Sequence, residues 1–281
     1  MQKEFNEDMK YNLFRSVKDI LHPSISKKNV SNYNIILDDN ILPVEVFYPK
    51  KVSHLNKVIV YIRGNGKVTG CTGKYQDICN YLSKALDSIL IAVEYKEEKL
   101  SYKKMYNDIY ETVKYVYNGL IRNNINPENI VLMGDSIGCN IITGINYLNK
   151  DIEIKNEVLF YPVLSMDYFN EVKYESMVKN NEFNLELLPN LRSYYEEIVG
   201  KDNLDDILIN PLKRDDYSSV PKTLIIVGNV DSLKDEAKEY FEKLDNSSKY
   251  AEIEFSAHGF LKKIDKDIEK ELLKEITSFL K

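Results

Sequence analysis

The sequence predicts an α/β sandwich built on a largely parallel sheet, on three observations. Five apolar runs recur along the chain, at 58–62, 89–93, 130–133, 158–161 and 224–227, each apolar at consecutive positions and not alternating. Strands that are apolar on both faces suit a parallel sheet covered by helices on both sides. Helical stretches separate the runs, at 75–86, 102–121, 138–149 and 232–244; alternating strand and helix is the pattern of that architecture. Finally, 281 residues at 43% hydrophobic and 29% charged are ordinary globular usage, enough for one domain with a sizeable core.

The elements follow in order. Residues 1–30 are loosely amphipathic through Met9, Leu13, Val17, Ile20 and Leu21, and the pattern ends at His22-Pro23. Two short β-like runs, 33–37 and 41–48, flank Asp38-Asp39-Asn40, a hairpin signal. The strand–helix alternation begins at Val58 and is interrupted over 165–210, which is polar, Tyr-rich and helical in composition. That segment reads as an insertion at the C-terminal edge of the sheet, where α/β folds carry their ligand-facing loops. At the end of the chain Ile264, Ile268, Leu272, Ile276 and Leu280 mark one helix face, expected to pack on the sheet.

Several function classes are excluded at this level. The net charge is −6 and no basic block stands out, which argues against nucleic acid as a partner. The first ten residues alternate charges and have no apolar core, so they do not read as a signal peptide. No apolar run approaches the length of a membrane span. Cys71, Cys79 and Cys139 are an odd set and, with only His22, His54 and His258 beside them, give no metal-ligand spacing. A reduced, cytoplasmic protein without metal or cofactor is the expectation. The loop Gly64-Asn65-Gly66 fails as a dinucleotide fingerprint because Thr69 stands where the third glycine belongs, and Gly73-Lys74 fails as a phosphate loop because Tyr75 follows it.

The strongest chemical signal is Gly134-Asp135-Ser136-Ile137-Gly138, between the run ending at Met133 and a helical stretch. This is the G-x-S-x-G nucleophile elbow. A serine on a tight strand-to-helix turn is lifted out of the chain, its neighbours must be small, and the helix N-terminus faces developing negative charge. A serine hydroxyl is a poor nucleophile without a base. Of the three histidines, His258 lies in a loop just past the last strand-like run, whereas His22 precedes a proline and His54 sits in a polar loop. Asp231 follows the buried run 224–227 and is the expected orienting carboxylate, with Asp235 and Glu236 one turn later as competitors and helix capping as its plainer role. The order Ser136, Asp231, His258 is that of the α/β hydrolases. Oxyanion donors are expected from the backbone N–H of Ile137 and from the loop Arg63-Gly64-Asn65-Gly66, through Gly64 and Asn65.

These motifs resemble the hormone-sensitive-lipase-like branch of the α/β hydrolases, which includes carboxylesterases and acetyl esterases. Gly134–Gly138 is close to its GDSAG; 161–164, Tyr-Pro-Val-Leu, resembles the tract after its sixth strand; Asn210-Pro211-Leu212 resembles its SPL; 231–236 resembles its D-P-L-R-D-E; His258-Gly259-Phe260 resembles its HGF. The resemblance implies a mostly parallel eight-stranded sheet flanked by helices, with a small helical cap from about 1–30 and 165–210, all in a single domain spanning 1–281. It departs from the family in two places. The family's HGGG reads Arg63-Gly64-Asn65-Gly66, and the arginine-bearing tract after the fourth strand reads Tyr95-Lys96-Glu97-Glu98. Asn is the non-glycine residue most at ease at positive φ, so Asn65 can keep the loop's shape.

The expected function is hydrolysis of short-chain carboxylic esters through an acyl-enzyme. The partner is a small-molecule ester; a homodimer is left open. An amide, formamide or peptide hydrolase of the same fold, and a weakly active or non-catalytic binder of small molecules, are the alternatives.

Overall fold

The computed structural model describes residues 21, 30–37, 40–52, 56–64, 75–166, 173–183 and 185–281. The N-terminal cap segment (apart from Leu21), Asp38-Asp39, His22, His54, Asn65, Gly66, Cys71 and part of the 165–210 insertion lie outside them.

Eight strands form one sheet: β1 (Val30–Ile36), β2 (Ile41–Phe47), β3 (Val58–Ile62), β4 (Ile89–Val93), β5 (Ile130–Asp135), β6 (Asn156–Phe160), β7 (Lys222–Gly228) and β8 (Lys249–Ile253). Their order is β1-β2-β4-β3-β5-β6-β7-β8. The β1–β2 and β2–β4 pairs are antiparallel. All pairs from β4 through β8 are parallel. Among the described residues the complete α-helices are α1 (Tyr75–Ala85), α2 (Tyr102–Arg122), α3 (Ile137–Leu148), α4 (Glu175–Lys179), α5 (Leu187–Ile198), α6 (Lys234–Glu242) and α7 (Lys266–Phe279).

The apolar runs become two cores because successive strand side chains point to opposite faces. Val58, Val60 and Ile62 of β3 join Leu132, Leu159 and Ile225 in the core shared with α2, α3 and α5. Ile59 and Tyr61 join Met133, Val158 and Leu224 in the core closed by α1 and α7. The last helix departs slightly from the sequence pattern. Leu272, Ile276 and Phe279 are fully buried, whereas Leu280 is only partly so. A four-residue stride drifts against the 3.6-residue helical turn, and the buried stripe shifts to Phe279.

Two of the helices in the insertion, α4 and α5, follow β6 along the chain. They put 175–198 beyond the C-terminal ends of the parallel strands, the same end to which β5, β7 and β8 deliver Ser136, Asp231 and His258.

Candidate active site

Ser136 sits between β5 and α3 with φ 53° and ψ −121°. A non-glycine residue in that region costs of order 1–3 kcal/mol and persists only where its surroundings hold it. Here the Ser136 N–H donates to the Phe160 carbonyl at 3.0 Å, and the Ser136 carbonyl accepts from Val163 N at 3.3 Å and from Cys139 N at 3.1 Å. The flanking glycine is dictated by the neighbouring strand end. A Cβ on Gly138 would lie 2.2 Å from the Ile62 carbonyl oxygen and 2.6 Å from that of Arg63.

The structure brings the three expected side chains into one hydrogen-bonded series. Ser136 Oγ lies 2.9 Å from His258 Nε2. His258 Nδ1 lies 3.0 Å from Asp231 Oδ2 and 3.3 Å from Oδ1. Asp231 is fully buried, and Ser136 and His258 are 4% and 8% exposed. The loops carrying Asp231 and His258 are stitched together: Asn229 N donates to the Ile253 carbonyl at 3.0 Å and Val230 N to the Ser256 carbonyl at 3.1 Å. Asp231 also caps the turn before α6, its Oδ1 accepting from Leu233 N at 2.8 Å. The capping and orienting roles therefore coexist in one carboxylate. The competitors are engaged elsewhere: Asp235 Oδ2 accepts from Ser176 N at 2.8 Å and Glu236 Oε1 from Leu164 N at 2.7 Å.

Some site residues carry no signal of their own in the sequence. The Tyr161 ring meets the His258 imidazole edge-on, centroids 5.0 Å apart, and meets Phe260 at the same distance. It limits how the imidazole can turn. Ser176 Oγ donates to the Ser232 carbonyl at 2.8 Å and Asn180 Nδ2 to the Asp231 carbonyl at 3.1 Å, tying the insertion to the loop that bears Asp231. Single Ser and Asn residues in a polar segment give no pattern to find.

The expected oxyanion donors divide. Ile137 is the first residue of α3, and its N–H precedes the intrahelical ladder. Asn65 lies outside the described residues. Gly64 is a correction: its N–H donates to Asp135 Oδ1 at 2.9 Å, so it anchors the loop and is not free to meet an oxyanion. The sequence could not show this, because Asp135 comes from a neighbouring strand. The same Oδ1 accepts from Tyr61 OH at 2.8 Å. Burial raises Asp135 above the ordinary carboxylate range, while the Gly64 and Tyr61 donors pull the other way. Large apolar side chains are exposed among the described residues that follow the strands' C-terminal ends, among them Val178, Phe183 and Leu185 on the insertion and Phe255, three residues before His258. The composition of the insertion does not suggest them.

A model of the α/β-hydrolase fold matches residues 59–262, which include Ser136, Asp231 and His258. The chain belongs to the α/β-hydrolase fold family, in its hormone-sensitive-lipase-like branch. Among curated relatives, a protein of Acanthamoeba polyphaga mimivirus named as an alpha/beta hydrolase is 25% identical over 230 residues, covering 78% of this chain and 64% of that one. Mouse arylacetamide deacetylase-like 4 family member 1 is 29% identical over 174 residues, covering 58% of this chain and 42% of that one. The match therefore spans less than two thirds of these two relatives. The arylesterase of Saccharolobus solfataricus is 21% identical over 239 residues, covering 82% and 76%. Among solved structures, the Francisella virulence factor BioJ shares the fold at a TM-score of 0.74 and 23% identity, covering 98% of this chain and 96% of that one. Among the described residues, no helix is long and apolar enough to cross a membrane.

Proposed function

We propose that the chain is a serine hydrolase that cleaves carboxylic esters, with a preference for short acyl chains. The observation that carries this reading is the series Ser136 Oγ–His258 Nε2 at 2.9 Å and His258 Nδ1–Asp231 Oδ2 at 3.0 Å. In it Ser136 Oγ attacks the acyl carbonyl, and its proton passes to His258 Nε2. Asp231 accepts from Nδ1–H, which fixes the tautomer that leaves Nε2 free as a base. The oxyanion forms beside the N-terminus of α3, where the Ile137 N–H and the helix dipole favour negative charge. His258 then passes the proton to the leaving alcohol, and water, activated by the same imidazole, releases the acyl group. The relatives named as an arylesterase and as an arylacetamide deacetylase-like protein support acyl transfer as the reaction class. The second of those names also favours an arylacetamide as an alternative substrate, since the same series can open an activated amide.

The test is labelling with a fluorophosphonate probe, followed by a p-nitrophenyl ester series from acetate to laurate with p-nitroacetanilide beside it. Labelling of Ser136 and a rate that falls with chain length are expected. Exposed Val178, Phe183 and Leu185 make the long end of the series informative. A rate that climbs steadily and jumps at the micelle threshold overturns the short-chain preference. Absence of labelling overturns the serine hydrolase.

A further inference from the structure

Two side chains of the insertion reach consecutive carbonyls in the loop that carries Asp231. Asn180 Nδ2 donates to the Asp231 carbonyl at 3.1 Å, and Ser176 Oγ donates to the Ser232 carbonyl at 2.8 Å. The spacing explains how one short helix serves both. Ser176 and Asn180 stand four residues apart across α4, so they share a face. Ser176 and Met177 are buried, whereas Val178 is exposed. The contact is reciprocal. Ser176 N lies in the first turn of α4, where it has no intrahelical acceptor, and Asp235 Oδ2 accepts from it at 2.8 Å. At the other end the helix is closed by the Asn180 N–H, which donates to the Ser176 carbonyl at 2.9 Å. The Asn180 carboxamide is thereby left to bind outside α4.

The β8 side of the same loop is held through backbone groups. Asn229 N and Val230 N donate to the carbonyls of Ile253 and Ser256, and Asp231 N donates to that of Gly228. These bonds fix the loop up to the Asp231 amide. Within the loop the Asp231 carbonyl is met by Lys234 N at 3.4 Å, a longer bond than the one from Asn180.

The Asp231 carbonyl and the Ser232 N–H belong to one planar peptide unit, so turning that unit displaces the Leu233 amide beyond it. That amide holds the carboxylate: Oδ1 accepts from Leu233 N at 2.8 Å while Oδ2 faces His258 Nδ1 at 3.0 Å. We propose that Asn180 is a positioning residue for Asp231: by fixing the Asp231–Ser232 peptide from the insertion side, it keeps the carboxylate turned so that Oδ2 meets the imidazole. This rests on the serine-hydrolase reading. Docking of the insertion alone is the weaker account of this bond. That docking is already served further along α6, where Glu239 Oε2 accepts from Tyr174 OH at 2.7 Å and from Lys173 Nζ at 2.8 Å.

The test uses p-nitrophenyl acetate with Asn180→Leu, Asn180→Asp, Tyr174→Phe, Asp231→Ala, Ser136→Ala and each Asn180 variant paired with Asp231→Ala, all checked by thermal melting. Leucine is close to asparagine in size but has no donor, and aspartate turns an acceptor toward the Asp231 carbonyl. Both are expected to lower kcat about 10-fold, the scale of one hydrogen bond, with KM within about threefold. Tyr174→Phe removes a tie of the same insertion away from the Asp231 loop; it is expected to lower the melting temperature and to keep kcat within about twofold of wild type. In the Asp231→Ala background, Asn180→Leu is expected to change kcat by less than about twofold, because its effect passes through a carboxylate that is no longer there. If Asn180→Leu does not fold, Asn180→Asp carries the test, alone and paired with Asp231→Ala. Wild-type kcat in both Asn180 variants, with Ser136→Ala inactive, overturns the positioning role and leaves the hydrolase standing. So does an undiminished loss in the Asp231→Ala background, or an equal loss of kcat in Tyr174→Phe. A loss confined to KM also overturns it, making Asn180 a substrate contact. An active Ser136→Ala overturns both.

Discussion

At the C-terminal edge of the sheet, Asp231 is buried beside an imidazole that can take up a proton, with His258 Nδ1 at 3.0 Å. At the opposite edge, Glu157 near the start of β6 is equally buried, but its hydrogen bonds come from neutral groups: Asn146 Nδ2 to Oε2 at 2.9 Å and Thr223 Oγ1 to Oε1 at 2.8 Å. Burying a carboxylate is costly unless its charge is met. Arg214, whose charge acts on Glu157, directs its donors to the carbonyls of Thr143, Ile207 and Leu208. Burial therefore raises the Glu157 pKa to about 7. One end of the sheet arranges groups between which charge can move; the other keeps a carboxyl close to neutral. Positive φ, by contrast, occurs at both ends: Asp87 (φ 46°) and Asn124 (φ 63°) precede β4 and β5. Ser136 (φ 53°), Tyr161 (φ 38°) and Phe255 (φ 52°) all lie beyond the C-terminal ends of their strands.

That division predicts that variants at the first end change rate and variants at the second change stability. Ser136→Ala is expected to lower kcat by about 10⁴-fold or more. The melting temperature should stay close to wild type, because alanine keeps the backbone bonds of Ser136. A variant that loses its fold along with its activity breaks the division. Asp231→Asn comes next, with an expected loss of about 10³–10⁴-fold in kcat. The amide can still accept from Leu233 N, but it offers a donor to His258 Nδ1 and so favours the wrong tautomer. A kcat within tenfold of wild type would make Asp231 a capping residue only.

Legibility divides along similar lines. The five apolar runs became β3 to β7 because buried parallel strands have to be apolar on both faces. The juxtaposition of Ser136, Asp231 and His258 could be read because the proposed acid–base chemistry requires particular side chains, each following a strand end that is itself legible. The oxyanion side could not be read in the same way. The donors proposed there are backbone amides, and these leave no residue type in the sequence. Nothing in the sequence marks that the Gly64 amide is held by Asp135, 71 positions away. Tyr161, Ser176 and Asn180 act through contacts made only after β6, β7 and the insertion meet.

Glu157→Gln tests the other end of the sheet. The folded-state pKa of about 7 lies above the usual value of 4.5. Between those values the folded protein holds a proton that the unfolded chain has released. Stability is therefore fully present below about pH 4.5, falls as pH rises, and levels off above about 7, a loss of about 3 kcal/mol at most. The Thr223 hydroxyl has one hydrogen and two acceptors in reach, Glu157 Oε1 at 2.8 Å and the Pro221 carbonyl at 2.7 Å. A protonated Glu157 can donate to it and free its hydrogen for Pro221, and a glutamine amide can do the same. The variant should match wild type in denaturant melts at pH 5, exceed it at pH 8, and keep wild-type kcat. Equal stability at both pH values would mean that Glu157 is ionised and satisfied in the fold, and the two ends would no longer differ in kind.

The smallest effect is expected at Asn65, where the family carries a glycine. There is no room for a side chain one position earlier, since a Cβ on Gly64 would lie 2.7 Å from Asp135 Oδ2. Position 65 bears a side chain in this sequence, and asparagine tolerates positive φ better than other residues with a Cβ. If the loop works through its amide alone, Asn65→Gly retains the donor and removes a competing side chain, so kcat stays equal or rises by less than about threefold. If the position requires the positive φ that the family's glycine permits, Asn65→Val should be worse than either, because a β-branched residue is a genuine outlier there. The measurement is kcat/KM of both variants on one ester, with the melting temperature as the folding control. A fall of about 10²-fold in Asn65→Gly with an unchanged melting temperature would make the carboxamide itself an oxyanion or substrate contact. The oxyanion side would then depend on a particular side chain as the acid–base side does, and the family's glycine would mark a different substrate preference.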